Sequence, residues 1–396
     1  MLEKQDTGNG GHLPRYRVGI VAGEASGDLI AAHLIQALKA RIPDIEFVGI
    51  AGPKMIAAGA TSLFPMEKLA VRGYVEVLRH YREIVGIRRK LKSHFLNNPP
   101  DLFIGVDAPD FNLSLEEALK RRGIPTIHYV SPSIWAWRGE RIGQIARAVS
   151  RILVLFPFEE PLYGNVGVPV TYVGHPLADI LPEEPDREAA RVQLKIVRPG
   201  PVFALLPGSR VSELTAMAEL FVRTAKLIAQ KLPQAQFLVP TVNRDTRRIF
   251  EEALYRCEAQ DIPITLLFGH AHAAMAAADV VLVASGTATL EAALLKRPMV
   301  ITYKMPRLSW SIIQRKKYQP YVGLPNILAG RFIVPELLQN EATPENLAQV
   351  LLNLLNDEAV RKGLEAEFAT MHQKLRQNTA EKAAEAILPY LEASAG

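Results

Sequence analysis

The chain has 396 residues, 48% hydrophobic and 22% charged, a globular balance at a length beyond one typical core, so two domains are expected. A formal net charge of +5 permits an anionic partner, but no basic run interleaved with aromatics accompanies it, so nucleic acid is not expected. The single cysteine, Cys257, excludes an internal disulfide framework, and no apolar run is long enough to span a bilayer.

Residues 1–15 are polar and Gly-rich and read as a disordered tail with no signal peptide. Short β-branched runs then alternate with longer amphipathic ones. Strands are expected at Arg17–Ala22, Glu46–Ile50, Leu102–Val106, Thr126–Val130, Ile152–Leu155 and Val170–Val173. Three prolines among acidic residues make His175–Asp186 read as a linker. The alternation restarts at Val202–Leu206, Gln236–Val239, Ile264–Leu267, Val280–Ala284 and Met299–Thr302, and Thr343–Ala393 is helical. The pattern is α/β: two doubly wound parallel sheets in series, with ligands expected at the carboxyl ends of the strands and a cleft between facing sheets.

Each strand end is then a place to look for chemistry. Gly23–Asp28 follows the first strand but lacks the third glycine of a dinucleotide fingerprint. Ser26 or Asp28 could cap the next helix, whereas no capping need explains Glu24. Asp107, Asp110 and Asn112 follow the strand at Leu102–Val106; one carboxylate could serve as a general base, and Asp110 or Asn112 could instead cap a helix near Leu113–Arg122. Trp135 and Trp137 in one loop suggest a ligand wall, a subunit contact or domain-interface packing.

The later strands end in two phosphate-type turns. Gly208, Ser209 and Arg210 close one strand and open a helix, where a guanidinium can hold two phosphate oxygens. Ser285, Gly286 and Thr287 form a small-residue turn whose helix start favours phosphate, and Glu291, about one turn on, can accept from a sugar diol. No Asp-x-Asp pair is present to clamp a Mg²⁺-diphosphate. His270 and His272 lack further nearby ligands and read as solvated helix-start histidines, so no metal is expected.

The stretch Arg72–Lys92 is amphipathic and basic. Val75, Val77, Leu78, Tyr81, Ile84, Val85 and Leu91 supply apolar surface against seven cations. That profile fits a helix lying on an anionic membrane, but the pattern alone favours a core-facing helix with a solvated basic face.

Together, Ala22–Asp28, Gly105–Asn112, His128–Trp137, Val173–His175, Leu205–Arg210, Ala284–Glu291 and Leu324–Ala329 resemble the lipid-A-disaccharide synthase family over nearly the whole chain. The resemblance implies an inverting glycosyltransferase of the GT-B type that needs no metal or other cofactor. Such an enzyme joins UDP-2,3-diacylglucosamine to 2,3-diacylglucosamine 1-phosphate (lipid X), giving the β-1,6 disaccharide of lipid A and UDP. It implies Asp110 as the catalytic aspartate, while the residues alone keep Asp107 and Glu24 as alternative candidates. It gives Ser26, Asp101, Arg210, Glu291 and Asn326 to activity or nucleotide binding. It makes Arg72–Lys92 a membrane-contacting patch, and so a peripheral protein on the anionic cytoplasmic leaflet of the inner membrane, as monomer or homodimer. The domains expected are 16–180 for the acceptor and the membrane, 181–375 for the UDP-sugar, and a helix in 376–396 packing back on the first. The chain departs from the family in a longer amino tail and in the basic residues around Tyr318–Tyr321. A UDP-sugar epimerase on the same fold and a non-catalytic nucleotide-sugar binder are the competing functions.

Overall fold

The computed structural model describes residues 16–69, 74–136, 139–196, 198–306, 310–311 and 318–393, with the helix at 74–97 described by its backbone alone as far as residue 81. The tail 1–15, Arg72, Trp137 and the side chains of Val75, Val77, Leu78 and Tyr81 lie outside that description.

Two compact units divide the chain, one formed by residues up to Gly174 together with those from Asn378 onward, the other by His175–Gln377. The first holds a sheet of seven parallel strands: β1 (Tyr16–Ala22), β2 (Ile45–Ile50), β3 (Ala60–Ser62), β4 (Leu102–Val106), β5 (Thr126–Tyr129), β6 (Arg151–Val154) and β7 (Val170–Tyr172). Their order is β3-β2-β1-β4-β5-β6-β7, so the winding direction reverses between β1 and β4. The second unit repeats the plan with β8 (Val202–Leu206), β9 (Gln236–Thr241), β10 (Ile264–Phe268), β11 (Val280–Ala284), β12 (Met299–Tyr303) and β13 (Glu336–Leu338). Here the order is β10-β9-β8-β11-β12-β13, with the reversal between β8 and β11. These are two Rossmann-like α/β domains.

The strands beside each reversal explain the sequence pattern. Every residue of β4, β8 and β11 is buried, because helices cover both faces of a parallel sheet and leave no side for polar residues. The edge strands β3 and β13 went unread in the sequence. Each has three residues without a β-branched run and is held by pairing to one neighbour.

The stretch His175–Asp186 is more structured than a linker. Pro176–Ile180 is a helix, with proline in its first turn, where the missing N–H costs nothing, and His175 accepting from the Leu177 amide at 3.2 Å. Asp186 caps the following helix at the Ala189 amide, 2.9 Å away. The His175 amide donates to the Leu375 carbonyl at 2.9 Å, and His372 Nε2 donates to the Ala178 carbonyl at 2.8 Å. These bonds tie 175–180 to the second unit, so the division falls six residues before the expected boundary at 180.

The helix Thr379–Glu392 belongs to the first unit and buries Ala383, Ala384, Ile387 and Leu391. Arg41, at the end of the helix Ala25–Arg41, meets Glu381 at 3.0 Å and Glu385 at 2.9 Å. Exposed pairs of this kind fix register more than they stabilise.

Candidate active site

In the first unit the loops after β1 and β4 flank the strand-order reversal, where ligands of such sheets bind. Gly23 lets them meet: a Cβ there would stand 2.7 Å from the Cβ of Ala108. Glu24 sits at the amino-cap position of the helix Ala25–Arg41, and Ser26 lies exposed in its first turn. Asp28 does not cap its own helix. It is buried and accepts from the Lys54 and Met55 amides at 3.0 and 2.9 Å, so it caps the helix Pro53–Ala57 instead.

The turn after β4 is strained. Asp107 and Ala108 are consecutive left-handed residues, with φ of 53° and 44°, and Val130 after β5 has φ 79°. A β-branched residue there is an outlier, and clusters of such residues mark functional sites. The helix starts at Pro109, four residues before the expected Leu113, so neither Asp110 nor Asn112 is its cap. Asp110 stands in the first turn with its side chain 79% exposed, where a carboxylate complements the helix dipole. Its Oδ1 accepts from Arg141, and its carbonyl accepts from Arg88 Nη1 at 3.1 Å. Asn112 is fully buried and donates from Nδ2 to the Asp107 carbonyl at 2.8 Å.

Asp101 requires a correction. It precedes β4, and its Oδ2 accepts from the Arg17 amide at 2.7 Å while its own amide donates to the Arg17 carbonyl at 2.8 Å. That is the amino edge of the sheet, opposite the strand ends, where Asp101 ties the start of β1 to β4. Trp135 is packed within its own unit, edge-on to Phe158 at 5.3 Å. Beside it Glu159 is buried and accepts from the Phe156 amide at 3.0 Å; burial, only partly offset by that bond and by Ser131, pushes its carboxyl up to about 7. Nothing in the sequence singled out Glu159 or Arg141.

The amphipathic helix Tyr74–Asn97 has two aspects in its described part. Ile87, Leu91 and Phe95 are buried in the core, and Ile84 and Val85 are half-buried. Arg88, counted among the basic surface, is turned to Asp110.

In the second unit the turns after β8 and β11 likewise flank the reversal. Gly208 has φ 130°, and a Cβ there would stand 2.7 Å from that of Glu213. Glu213 fills the turn: its Oε2 accepts from the Ser209 and Arg210 amides at 3.0 and 3.2 Å, and its Oε1 from Arg210 Nη1 at 3.1 Å. A carboxylate thus occupies amides expected to face phosphate, and the only sequence signal for it is a glutamate three residues into the helix, as in a capping box. Tyr303, ending β12, lies within electrostatic reach of Glu213 and Arg210, and burial first, then Glu213, pushes its phenol up.

After β11, Ser285 Oγ donates to the Val322 carbonyl at 3.1 Å, and the space above Gly286 is open for 4 Å where a side chain would begin. Thr287 opens the helix, and Thr289 Oγ1 donates back to the Gly286 carbonyl at 2.8 Å. Glu291 is engaged by His272, whose Nε2 lies 3.0 Å from Oε2. His272 is therefore not a merely solvated histidine; the bond to Glu291 raises its pKa despite partial burial.

Asn326 is the second correction. It is fully buried; Nδ2 donates to the Val334 carbonyl and Glu336 at 2.9 and 2.8 Å, and Oδ1 accepts from the Ile333 and Val334 amides at 2.8 and 3.0 Å. Those bonds lock its helix to β13 and leave nothing to offer a nucleotide. Glu336, unread in the sequence, also accepts from the Gly323 amide at 2.8 Å, and so shapes the loop that receives Ser285. Among the described residues no group of three or more His, Cys, Asp or Glu side chains could hold a metal ion.

The model of a family described as lipid-A-disaccharide synthetase matches residues 18–387. The chain belongs to that family. It is 61% identical over 374 residues to the lipid-A-disaccharide synthase of Methylobacillus flagellatus, covering 94% of this chain and 99% of the relative. To that of Dechloromonas aromatica it is 60% identical over 376 residues, with 95% and 98% covered. Among solved structures, UDP-GlcNAc 2-epimerase of Neisseria meningitidis matches with a TM-score of 0.63 at 13% identity, covering 94% of this chain and all of the other. MurG of Acinetobacter baumannii matches with a TM-score of 0.56 at 15% identity, covering 94% and 99%. Likenesses at that identity show the fold, so the epimerase reading gains nothing from them. The family makes the chain a glycosyltransferase of lipid A biosynthesis acting on a nucleotide sugar.

Proposed function

We propose that the enzyme transfers the diacylglucosaminyl group of UDP-2,3-diacylglucosamine to the 6-hydroxyl of lipid X with inversion, with the acceptor on the first unit and the nucleotide on the second. The observation that carries this assignment is that each sheet has its strand-end cluster at its own reversal: carboxylates on the first, a Pro-Gly-Ser-Arg turn and an open Gly286 turn on the second.

The acceptor hydroxyl loses its proton as it attacks the anomeric carbon from the face opposite UDP. Asp110 takes that proton: its carboxylate is exposed on a strained turn and held by Arg141. The departing diphosphate develops negative charge, which Arg210 and the helix start at Gly286–Thr287 stabilise by preorganised electrostatics. Binding diphosphate at the first turn requires Arg210 to exchange Glu213 for phosphate oxygens. Glu291 accepts from the ribose diol through the oxygen that His272 does not hold.

Among the described residues no helix is long and apolar enough to cross a membrane. Acylated substrates therefore bring the enzyme to the anionic cytoplasmic face of the inner membrane through the first half of the helix Tyr74–Asn97. Incubating the purified chain with radiolabelled UDP-2,3-diacylglucosamine and lipid X tests the reading. It predicts a lipid disaccharide and stoichiometric UDP. An epimerised UDP-sugar, or binding without turnover, overturns it.

A further inference from the structure

Beneath the strained turn lies a buried acid–imidazole pair that the transfer chemistry leaves unused. Glu116, on the helix Pro109–Lys120, and His128, on β5, are fully buried, and Nδ1 of His128 is 2.8 Å from Glu116 Oε1. The fold makes room for them. A Cβ on Gly105 of β4 would stand 2.0 Å from that Oε1 and 2.9 Å from the Cβ of Asn112. Asn112 and Glu116, one helical turn apart, thus come down together on the one bare residue of β4, directly beside His128 in register.

Such a pair is a poor way to stabilise a core. Desolvating two charges is costly, and apolar residues of the same volume serve as well or better. This pair is also incompletely satisfied: Glu116 Oε2, His128 Nε2 and Asn112 Oδ1 have no hydrogen-bond partner among the described residues. Buried polar atoms left unsatisfied in a native fold ask for a functional reason. The surroundings supply one. Asn112 holds the Asp107 carbonyl, Asp107 and Ala108 are the left-handed residues of the turn, and Asp110 follows on the same helix as Asn112 and Glu116. The two groups pull against each other: burial raises the Glu116 carboxyl, only partly offset by His128, and burial works against the His128 imidazolium, which Glu116 and then Asp107 favour, so one shared proton between Oε1 and Nδ1 serves both.

We propose that Glu116 and His128 are positioning residues for the transfer reaction, a buried hydrogen-bonded floor that with Asn112 holds the Asp107–Ala108 turn in its left-handed form and so sets where Asp110 presents its carboxylate. The proposal rests on reading Asp110 as the base.

The test compares full-length Glu116→Gln, the apolar double variant Glu116→Met/His128→Leu, Asp110→Asn, and the double variant combined with Asp110→Asn. Because the apolar pair removes both polar partners at once, it should fold with an unchanged or higher melting temperature. It should lose about 10- to 100-fold in kcat, the scale of a misplaced reacting group, with UDP affinity and KM for the UDP-sugar within twofold of wild type. Added to Asp110→Asn, it should cost no further activity, since groups acting through one residue are not additive. Should the apolar pair not fold, Glu116→Gln carries the same comparisons. A folded variant with wild-type kcat overturns the proposal, as do losses that multiply with that of Asp110→Asn. Near-normal activity in Asp110→Asn itself defeats the underlying assignment of the base, whatever the pair does.

Discussion

At Asp110 the geometry asks one carboxylate to be exposed for a substrate and yet held in place, and Arg141 and the strained turn meet both demands. Asp110→Asn is expected to lower kcat by about 10²–10⁴ while leaving UDP affinity intact, which initial rates and calorimetric titration of UDP check. Near-normal turnover would transfer the role to Asp107 or Glu24. Glu159 makes a different prediction, about stability. Its carboxyl lies near 7 in the fold, against 4.5 ordinarily, because burial disfavours the ion. Between those values the folded chain keeps a proton that the unfolded chain has released, so stability falls as pH rises through the window, by about 3 kcal/mol in all. Glu159→Gln has no such proton, and its unfolding midpoint should gain on wild type between pH 5 and pH 8. Parallel midpoints across that range would mean that Glu159 ionises freely in the fold.

Strands and helices carry the lesson of what the sequence makes legible. The continuous apolar runs of β4, β8 and β11 could be read because strands covered on both faces admit nothing else. The glycines at 23, 208 and 286 could be located, since they follow such runs. What a polar side chain bonds to could not be read, because its partner is remote in the chain. Asn326 was given to the site only by the resemblance, and its four hydrogen bonds run to Ile333, Val334 and Glu336. Asp101 was legible as lying one residue before the strand Leu102–Val106, at the edge away from the strand ends, but its bonds to Arg17, 84 residues away, were not. Asn326→Ala is accordingly expected to cost about 2–4 kcal/mol through lost buried hydrogen bonds, seen as a lower melting temperature. Weaker UDP binding with an unchanged melting temperature would restore it to the site. At the other turn, Arg210→Ala should raise the UDP dissociation constant, whereas EDTA should leave turnover intact; a clear Mg²⁺ requirement would sink the second half.

For the whole molecule, the proposed function gives each of the two sheets one substrate, and it requires the enzyme to reach acylated substrates. Ile87, Leu91 and Phe95 are in the core and Arg88 is held by Asp110, so the proposed membrane contact is to be tested on the first half of the helix Tyr74–Asn97. Replacing Val75, Val77 and Leu78 by serine should reduce sedimentation with anionic vesicles and raise KM for bilayer-presented substrate, with UDP binding spared. Wild-type binding should also weaken at 1 M salt, where the Debye length is about 3 Å. Full vesicle binding by the folded triple variant would place the patch elsewhere.

The terminal helix has a consequence for how the protein is made. The first unit is begun at once but completed only by Thr379–Glu392, after the roughly 200 residues of the second have been translated, an interval of about 10–40 s at ordinary elongation rates. Throughout that interval the face of the helix Ala25–Arg41 that its partner later covers stands bare on the nascent chain. The half of the protein that emerges first is therefore the last to mature, and it is the half with the longer need of a chaperone.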